Sequence, residues 1–233
     1  DRWFVDGELN SCYLAVDYHV ESGRGEQLAL VYDSPVTGVK QQFTYAQLQD
    51  EVSRLASVMQ GLGLRKGDIA IIYMPMIPQA VFAMLACARL GVVHSVVFGG
   101  FAAHELAARI DGTAASLILT ASCGIEPNKT IAYKPLLDEA LTLTEHQPSH
   151  VLLYQRPEHT AELTKPYEHD WREAVSQAGF SDCVPVLATD PLYILYTSGS
   201  TGKPKGVVRD NGGHAVAMKY SMRAVYDCAP GDV

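Results

Sequence analysis

Long hydrophobic runs, paired cysteines and metal-binding histidines are all missing from this chain, and each absence excludes a class of protein. The longest apolar run is nine residues, Ala80 to Ala88, closed by Arg89. A membrane span needs roughly 20, so no membrane partner is expected. The five cysteines, Cys12, Cys87, Cys123, Cys183 and Cys228, stand at least 36 residues apart, without the Cys-x-x-Cys pairs of a zinc site or the density of a disulfide scaffold. That usage fits a reducing compartment, the cytoplasm or, in a eukaryote, the mitochondrial matrix. The eight histidines include no His-Glu-x-x-His and read as structural or solvated, while Met74, Met76 and Met84, in apolar surroundings, read as core. An excess of positive charge is lacking too: 18 basic against 26 acidic side chains give a net charge of −8, which argues against a nucleic-acid partner. Charged residues make up 19%, against about 25% in an average soluble domain, a thin supply for a self-contained surface. The chain opens on Asp1 with no signal-like segment and is expected to be an excised piece of a longer protein.

What is present is an alternation of strand-like and helix-like runs, which predicts an α/β fold of repeated βα units around a parallel sheet. Thr44 with Gln47 forms a capping box, and Leu48, Val52, Leu55, Met59 and Leu62 recur at helical steps before the glycine stop at Gly61 and Gly63. Ile69 to Tyr73 is continuously apolar, as a strand covered on both faces would be. Pro78 opens the next helix and Gly91 ends it. Val92 to Phe98, Leu117 to Thr120, Val151 to Tyr154 and Leu192 to Tyr196 read as further strands, with helices over Ala102 to Ile110 and Pro135 to Leu143. Residues 1–42 are less regular, and 43–233 form the α/β part. Within it, the polar, Pro-interrupted stretch 155–190 reads as a surface insertion carrying one helix, capped by Asp170 with Glu173 around Trp171.

Directly after the last of these strands comes Thr197-Ser198-Gly199-Ser200-Thr201-Gly202-Lys203-Pro204-Lys205-Gly206. Glycines let backbone N–H groups approach a polyphosphate, hydroxyls donate directional hydrogen bonds, and two lysines add point charge. Gly, Ser and Thr alone would equally make a solvated turn. A Walker loop is excluded: it requires Gly, four residues, then Gly-Lys-Ser/Thr running into a helix, whereas here position 197 is Thr, Pro204 follows Lys203, and a strand through Val207 and Val208 comes next.

YTSGSTGKPKG, residues 196–206, resembles the signature loop of the adenylate-forming superfamily, the acyl-coenzyme A synthetases and their relatives. YMPMIPQAVFAMLACARLGVVHSVVFGGF, residues 73–101, is similar to the short-chain acetate and propionate ligases. VYDSPVTG at 31–38, GIEP at 124–127 and AYKPLLDEAL at 132–141 lean toward the propionate type, and the resemblance covers all 233 residues. It implies part of the large N-terminal domain of an ATP-dependent short-chain acid:coenzyme A ligase. Such an enzyme works through an acyl-adenylate, with ATP, magnesium and coenzyme A as cofactors, a short carboxylic acid as substrate, and the missing C-terminal part of the same protein as partner.

Carried over by position, Thr197, Ser198, Gly199, Ser200, Thr201, Gly202, Lys203 and Lys205 would hold the β- and γ-phosphates of ATP. Phe98, Gly99 and Gly100 would shape the coenzyme A nucleotide site, although the same three residues suit a buried strand-to-helix turn. Glu126-Pro127-Asn128-Lys129 stands where the acetate type has two arginines, which leaves Lys129 as the basic candidate toward coenzyme A. No catalytic residue and no metal ligand is assigned within the chain. The alternatives are a stand-alone nucleotide- or coenzyme A-binding module without chemistry, and acetate in place of propionate.

Overall fold

The computed structural model describes residues 3–197 and 205–229. In chain order the first elements are β1 (Glu8–Leu9), β2 (Leu28–Ser34), β3 (Val39–Thr44), α1 (Tyr45–Gly61), β4 (Ile69–Met74), α2 (Pro78–Leu90) and β5 (Val93–Phe98). Then follow α3 (Ala103–Thr113), β6 (Leu117–Ala121), β7 (Cys123–Glu126), β8 (Lys129–Ala132), α4 (Tyr133–Leu143) and β9 (His150–Tyr154). The last are β10 (Glu168–Asp170), α5 (Trp171–Ser176), β11 (Val186–Leu187), β12 (Pro191–Thr197), β13 (Lys205–Asp210) and α6 (Asn211–Ala224).

Local chemistry sets these boundaries. At the start of α1 the Thr44 hydroxyl accepts from the Gln47 N–H at 3.3 Å while the Gln47 amide oxygen accepts from the Thr44 N–H at 2.9 Å, so two otherwise orphaned donors are satisfied reciprocally. Leu48, Val52, Leu55 and Met59 form its buried stripe. Pro78 opens α2, and Gly91 closes it in the left-handed region at φ 69°. Parallel strands need crossovers of this length, and the helices they carry cover both sheet faces.

Seven strands lie in the order β10-β9-β6-β4-β5-β12-β13, parallel throughout except for β13, which runs antiparallel to β12. Strand alternation sorts the core into two layers. Ala70, Ile72, Leu117, Leu119 and Leu152 pack with α1 and α2; Ile71, Tyr73, Ile118 and Val151 pack with α3 and α4. The result is a sheet between two helical layers. Among the described residues, no helix is long and apolar enough to cross a membrane.

Three expectations meet a different structure. The stretch 1–42, irregular in pattern, carries two short π-helical segments, Tyr13–Asp17 and Val20–Arg24, and all but the last two residues of the antiparallel β2–β3 hairpin, which ends at Thr44. The stretch 155–190, polar enough to read as a surface insertion, is built into the domain from Glu168 onward: β10 extends the sheet, Trp171 is buried, and Ser181 exchanges main-chain bonds with the Ser53 hydroxyl at 2.7 and 2.9 Å. Its polar groups serve as internal hydrogen-bond partners. Met74 is buried as expected and Met84 packs on the core, but Met76 is 81% exposed, because it lies in the short connection between β4 and α2 while Met74 and Ile77 on either side of it turn inward.

Candidate functional site

Ligands of open α/β sheets bind outside the carboxyl ends of the strands, and here, among the described residues, that edge carries Phe98 at the end of β5 and Thr197 at the end of β12. β5 and β12 are parallel neighbours with His94 opposite Tyr193, and each runs four residues further, to Phe98 and Thr197. Phe98 is 67% exposed, an uncommon state for a strand-end aromatic, and its ring centroid lies 5.9 Å from that of Phe101. Gly99 and Gly100 are needed for different reasons. A Cβ at Gly99 would stand 2.8 Å from the Met74 carbonyl oxygen and 2.8 Å from Cε2 of Tyr133, with the Tyr133 hydroxyl closer still. Gly100 adopts φ 100°, which side chains disfavour.

Tyr133 holds this turn in place. Its N–H donates to the Ser122 carbonyl at 3.0 Å, and its ring lies 5.0 Å from that of Tyr73, whose hydroxyl donates to the Phe101 carbonyl at 2.9 Å. A Cβ at Gly124, in β7, would also strike the Tyr133 hydroxyl. One ring therefore fills the space between the Phe98–Gly100 turn and the β7–β8 hairpin. Burial pushes the Tyr133 phenol up to about 12 and raises that of Tyr73, so both stay protonated at neutral pH. Tyr133 stands inside AYKPLLDEAL, yet nothing in its spacing pointed to Gly99.

Lys129 lies at the tip of that hairpin, opposite Glu126 and ion-paired with it at 3.4 Å. Both side chains are more than half exposed, and an exposed pair of this kind is worth about 0–1 kcal/mol, so the lysine remains available to an anion. The hairpin leans on the turn: Ile131 Cδ1 is 3.9 Å from where a Gly100 Cβ would be. Phe98, Gly99, Gly100 and the strand pair bearing Lys129 are thus brought to one place.

Of the phosphate-loop candidates, Thr197 and Lys205 face each other across the mouth of the β12–β13 pair, with the Thr197 hydroxyl 3.5 Å from the Lys205 carbonyl oxygen, too long for more than a weak bond. Ser198, Gly199, Ser200, Thr201, Gly202 and Lys203 lie outside the described residues. β13 follows as expected, and Asp210 ends it by capping α6 through the Gly213 N–H at 2.7 Å.

Arg109 of α3 is a second residue that sequence reasoning missed. Its guanidinium carbon lies 5.0 Å from the Phe101 ring centroid and 5.4 Å from that of Tyr196, the neighbours of the two candidate loops. The only sequence signal was its position four residues after Glu105, a routine helical pair.

Cys12, Asp17 and Cys183 offer ligand atoms within 4.8 Å of one another, and among the described residues they alone form such a group. The Asp17 carboxylate, however, already receives Arg89 at 2.7 and 3.0 Å and Gln49 at 2.8 Å. A guanidinium sits where a cation would compete, so the cluster reads as a buried ion pair. His94 is likewise structural: burial, then the nearby His214, lowers it to about 4 and keeps it neutral.

Residues 18–233 match the AMP-binding enzyme family. The chain is 54% identical over 233 residues to bovine acyl-CoA synthetase short-chain family member 3, mitochondrial, with 99% of the chain aligned to 34% of that protein. It is 44% identical over 236 residues to propionate--CoA ligase of Escherichia coli, with 100% aligned to 37%. Acetoacetyl-CoA synthetase from Streptomyces lividans superposes with a TM-score of 0.86 at 27% identity, covering 97% of this chain and 34% of that one. The chain spans about a third of the length of the curated relatives it matches.

Proposed function

The chain belongs to the AMP-binding enzyme family, and from that premise we propose that it is the phosphate-loop part of a longer, AMP-forming short-chain acid:coenzyme A ligase with propionate as the favoured acid. The observation that carries this reading is the juxtaposition of two motifs, YTSGSTGKPKG opening at the carboxyl end of β12 and Phe98-Gly99-Gly100 at the end of its neighbour β5. In the reaction a carboxylate oxygen attacks the α-phosphorus of ATP, the bond to pyrophosphate breaks, and an acyl-adenylate forms. A coenzyme A thiolate then attacks the acyl carbon and AMP leaves with the bonding electrons.

The loop residues Thr197 to Lys205 serve the first step. Hydroxyls and backbone N–H groups donate to the β- and γ-phosphates, and Lys203 and Lys205, with magnesium, offset the charge that grows on the departing pyrophosphate. Phe98 offers a face on which adenine stacks, and Lys129 a cation for coenzyme A phosphate. Propionate is favoured over acetate because VYDSPVTG, GIEP and AYKPLLDEAL lean that way and a propionate--CoA ligase is among the relatives. The cytoplasm or the mitochondrial matrix suits five free cysteines, and the bovine relative is named mitochondrial.

The 233-residue chain by itself is expected to make neither adenylate nor thioester. A loop that grips two phosphates does not align a carboxylate on the α-phosphorus, and orientation accounts for roughly 7–11 kcal/mol of such barriers. The test incubates the full-length protein and the 233-residue chain in parallel with ATP, magnesium, coenzyme A and acetate, propionate or butyrate, and separates AMP by chromatography. AMP is expected from the full-length protein alone and fastest with propionate. Absence of AMP with every short acid would overturn the ligase reading, and sustained AMP from the chain alone would overturn the inactivity.

A further inference from the structure

We infer that Arg109 is a positioning residue that ties the carboxyl end of β12, where the phosphate-loop motif opens, to the Phe98–Phe101 turn at the end of β5. Arg109 is 7% exposed. One terminal nitrogen, Nη1, donates to both the carbonyl and the carboxylate of Glu105, at 2.6 and 2.7 Å, which holds the plane of the guanidinium. Phe101 lies 5.0 Å and Tyr196 5.4 Å from its central carbon. A planar, weakly hydrated cation stacks on aromatic rings in a way that an ammonium does not, and removal from water strengthens the attraction.

The two rings are not arbitrary neighbours. Phe101 directly follows Phe98-Gly99-Gly100, and its carbonyl is held by the Tyr73 hydroxyl. Tyr196 directly precedes Thr197, where β12 opens into the loop. The helix makes room for that second ring at Gly112, where a Cβ would stand 2.9 Å from the Tyr196 hydroxyl oxygen. α3 therefore grips the ends of both motifs with one side chain, and a shift at either end is felt at the other through a rigid helix. The functional consequence rests on the ligase reading; the mechanical link does not.

The test uses the full-length protein with Arg109→Met, Arg109→Lys and Phe101→Leu. Hydrogen exchange is followed in peptides spanning residues 93–101 and 191–197, with β4 and β6 as internal references. Arg109→Met is expected to raise exchange in both spans together and leave the references unchanged, and Arg109→Lys, which keeps charge without the plane, to do the same to a lesser degree. In acid-dependent pyrophosphate exchange, Arg109→Met is expected to lower kcat about tenfold with the acid KM within twofold, because misplaced groups cost turnover before binding. Phe101→Leu, a change on the coenzyme A side, is expected to slow the same exchange about threefold when Arg109 is present and not to slow it further in Arg109→Met, the non-additivity of residues acting as one unit. Faster hydrogen exchange in only one span or in neither, or Phe101→Leu and Arg109→Met effects that simply multiply, would overturn the inference. A wild-type protein without any pyrophosphate exchange would count against the ligase reading, while the hydrogen-exchange arm would still decide the role of Arg109.

Discussion

Gly99→Ala puts a single methyl where the Phe98–Gly100 turn meets Tyr133. The new Cβ would stand 2.8 Å from the Met74 carbonyl oxygen and from Tyr133 Cε2, and closer to the Tyr133 hydroxyl, against ordinary contacts of about 3.5–4.0 Å. The ring has nowhere to retreat. Gly124 is as close on its other side, Tyr73 packs against it at 5.0 Å, and Tyr133 is only 2% exposed. Overpacking of this kind typically costs 1–3 kcal/mol, and with backbone among the atoms struck, about 2 kcal/mol of stability should be lost. Relief comes most easily by moving the turn, which carries Phe98 with it, so the coenzyme A half-reaction should suffer most: a KM for coenzyme A raised about tenfold, with pyrophosphate exchange slowed about threefold through the Arg109 link. Denaturant unfolding and the two half-reactions, measured on the full-length protein, read these effects. Adding Tyr133→Phe removes the nearest atom and should restore part of both losses. Normal stability with an unchanged coenzyme A KM, or a double variant no better than Gly99→Ala, would refute the packing and place the turn away from coenzyme A.

Asp17→Asn leaves the Arg89 guanidinium, 1% exposed, without its anion, and should destabilise by about 3–5 kcal/mol in urea unfolding; the paired change with Arg89→Met should recover much of it. His94 supplies a pH dependence. Its folded value, about 4, lies below the ordinary 6.5, so the unfolded chain binds the extra proton first, and stability present above pH 6.5 is lost as pH falls toward 4, by about 3 kcal/mol at full effect. His94→Leu should flatten that part of a urea-midpoint profile against pH; an unaltered slope would show that other groups set it. Glu126→Arg exchanges the Lys129 partner for a second cation at an exposed turn, and should tighten coenzyme A binding about two- to fivefold at low salt, fading at high salt. Weaker or salt-insensitive binding would separate the hairpin tip from the nucleotide.

The readable parts of the fold were those where local and tertiary demands coincide. The Thr44–Gln47 box, the unbroken run at Ile69 and the Pro78/Gly91 bracket each satisfy the backbone locally and also suit a sheet covered on both faces. The β2–β3 hairpin was not readable, because a two-stranded ribbon with much of both strands exposed carries little hydrophobic alternation. Polar composition misled over 168–183, where Glu168 pairs with the buried Lys134 at 2.8 Å and Ser181 with Ser53: burial of a satisfied polar group leaves no mark in a hydropathy pattern. At the site, the motifs that lie in contiguous sequence could be named as candidates from the sequence. The supports could not, since Tyr133 and Arg109 act on Gly99, Phe101 and Tyr196 only after β4, β5 and β12 have been set side by side.

Acid-dependent exchange of pyrophosphate into ATP by the full-length protein, with Lys203→Ala and Lys205→Ala beside the wild type, isolates the step that the loop is assigned to serve. Propionate should support exchange, faster than acetate or butyrate. Either alanine should lower the rate about 10²–10³-fold, the usual cost of losing one group that meets developing charge, with the propionate KM changed only a few-fold. No exchange with any short acid, or unchanged exchange in both variants, would contradict the assignment of this loop to the pyrophosphate of an acyl-adenylate reaction.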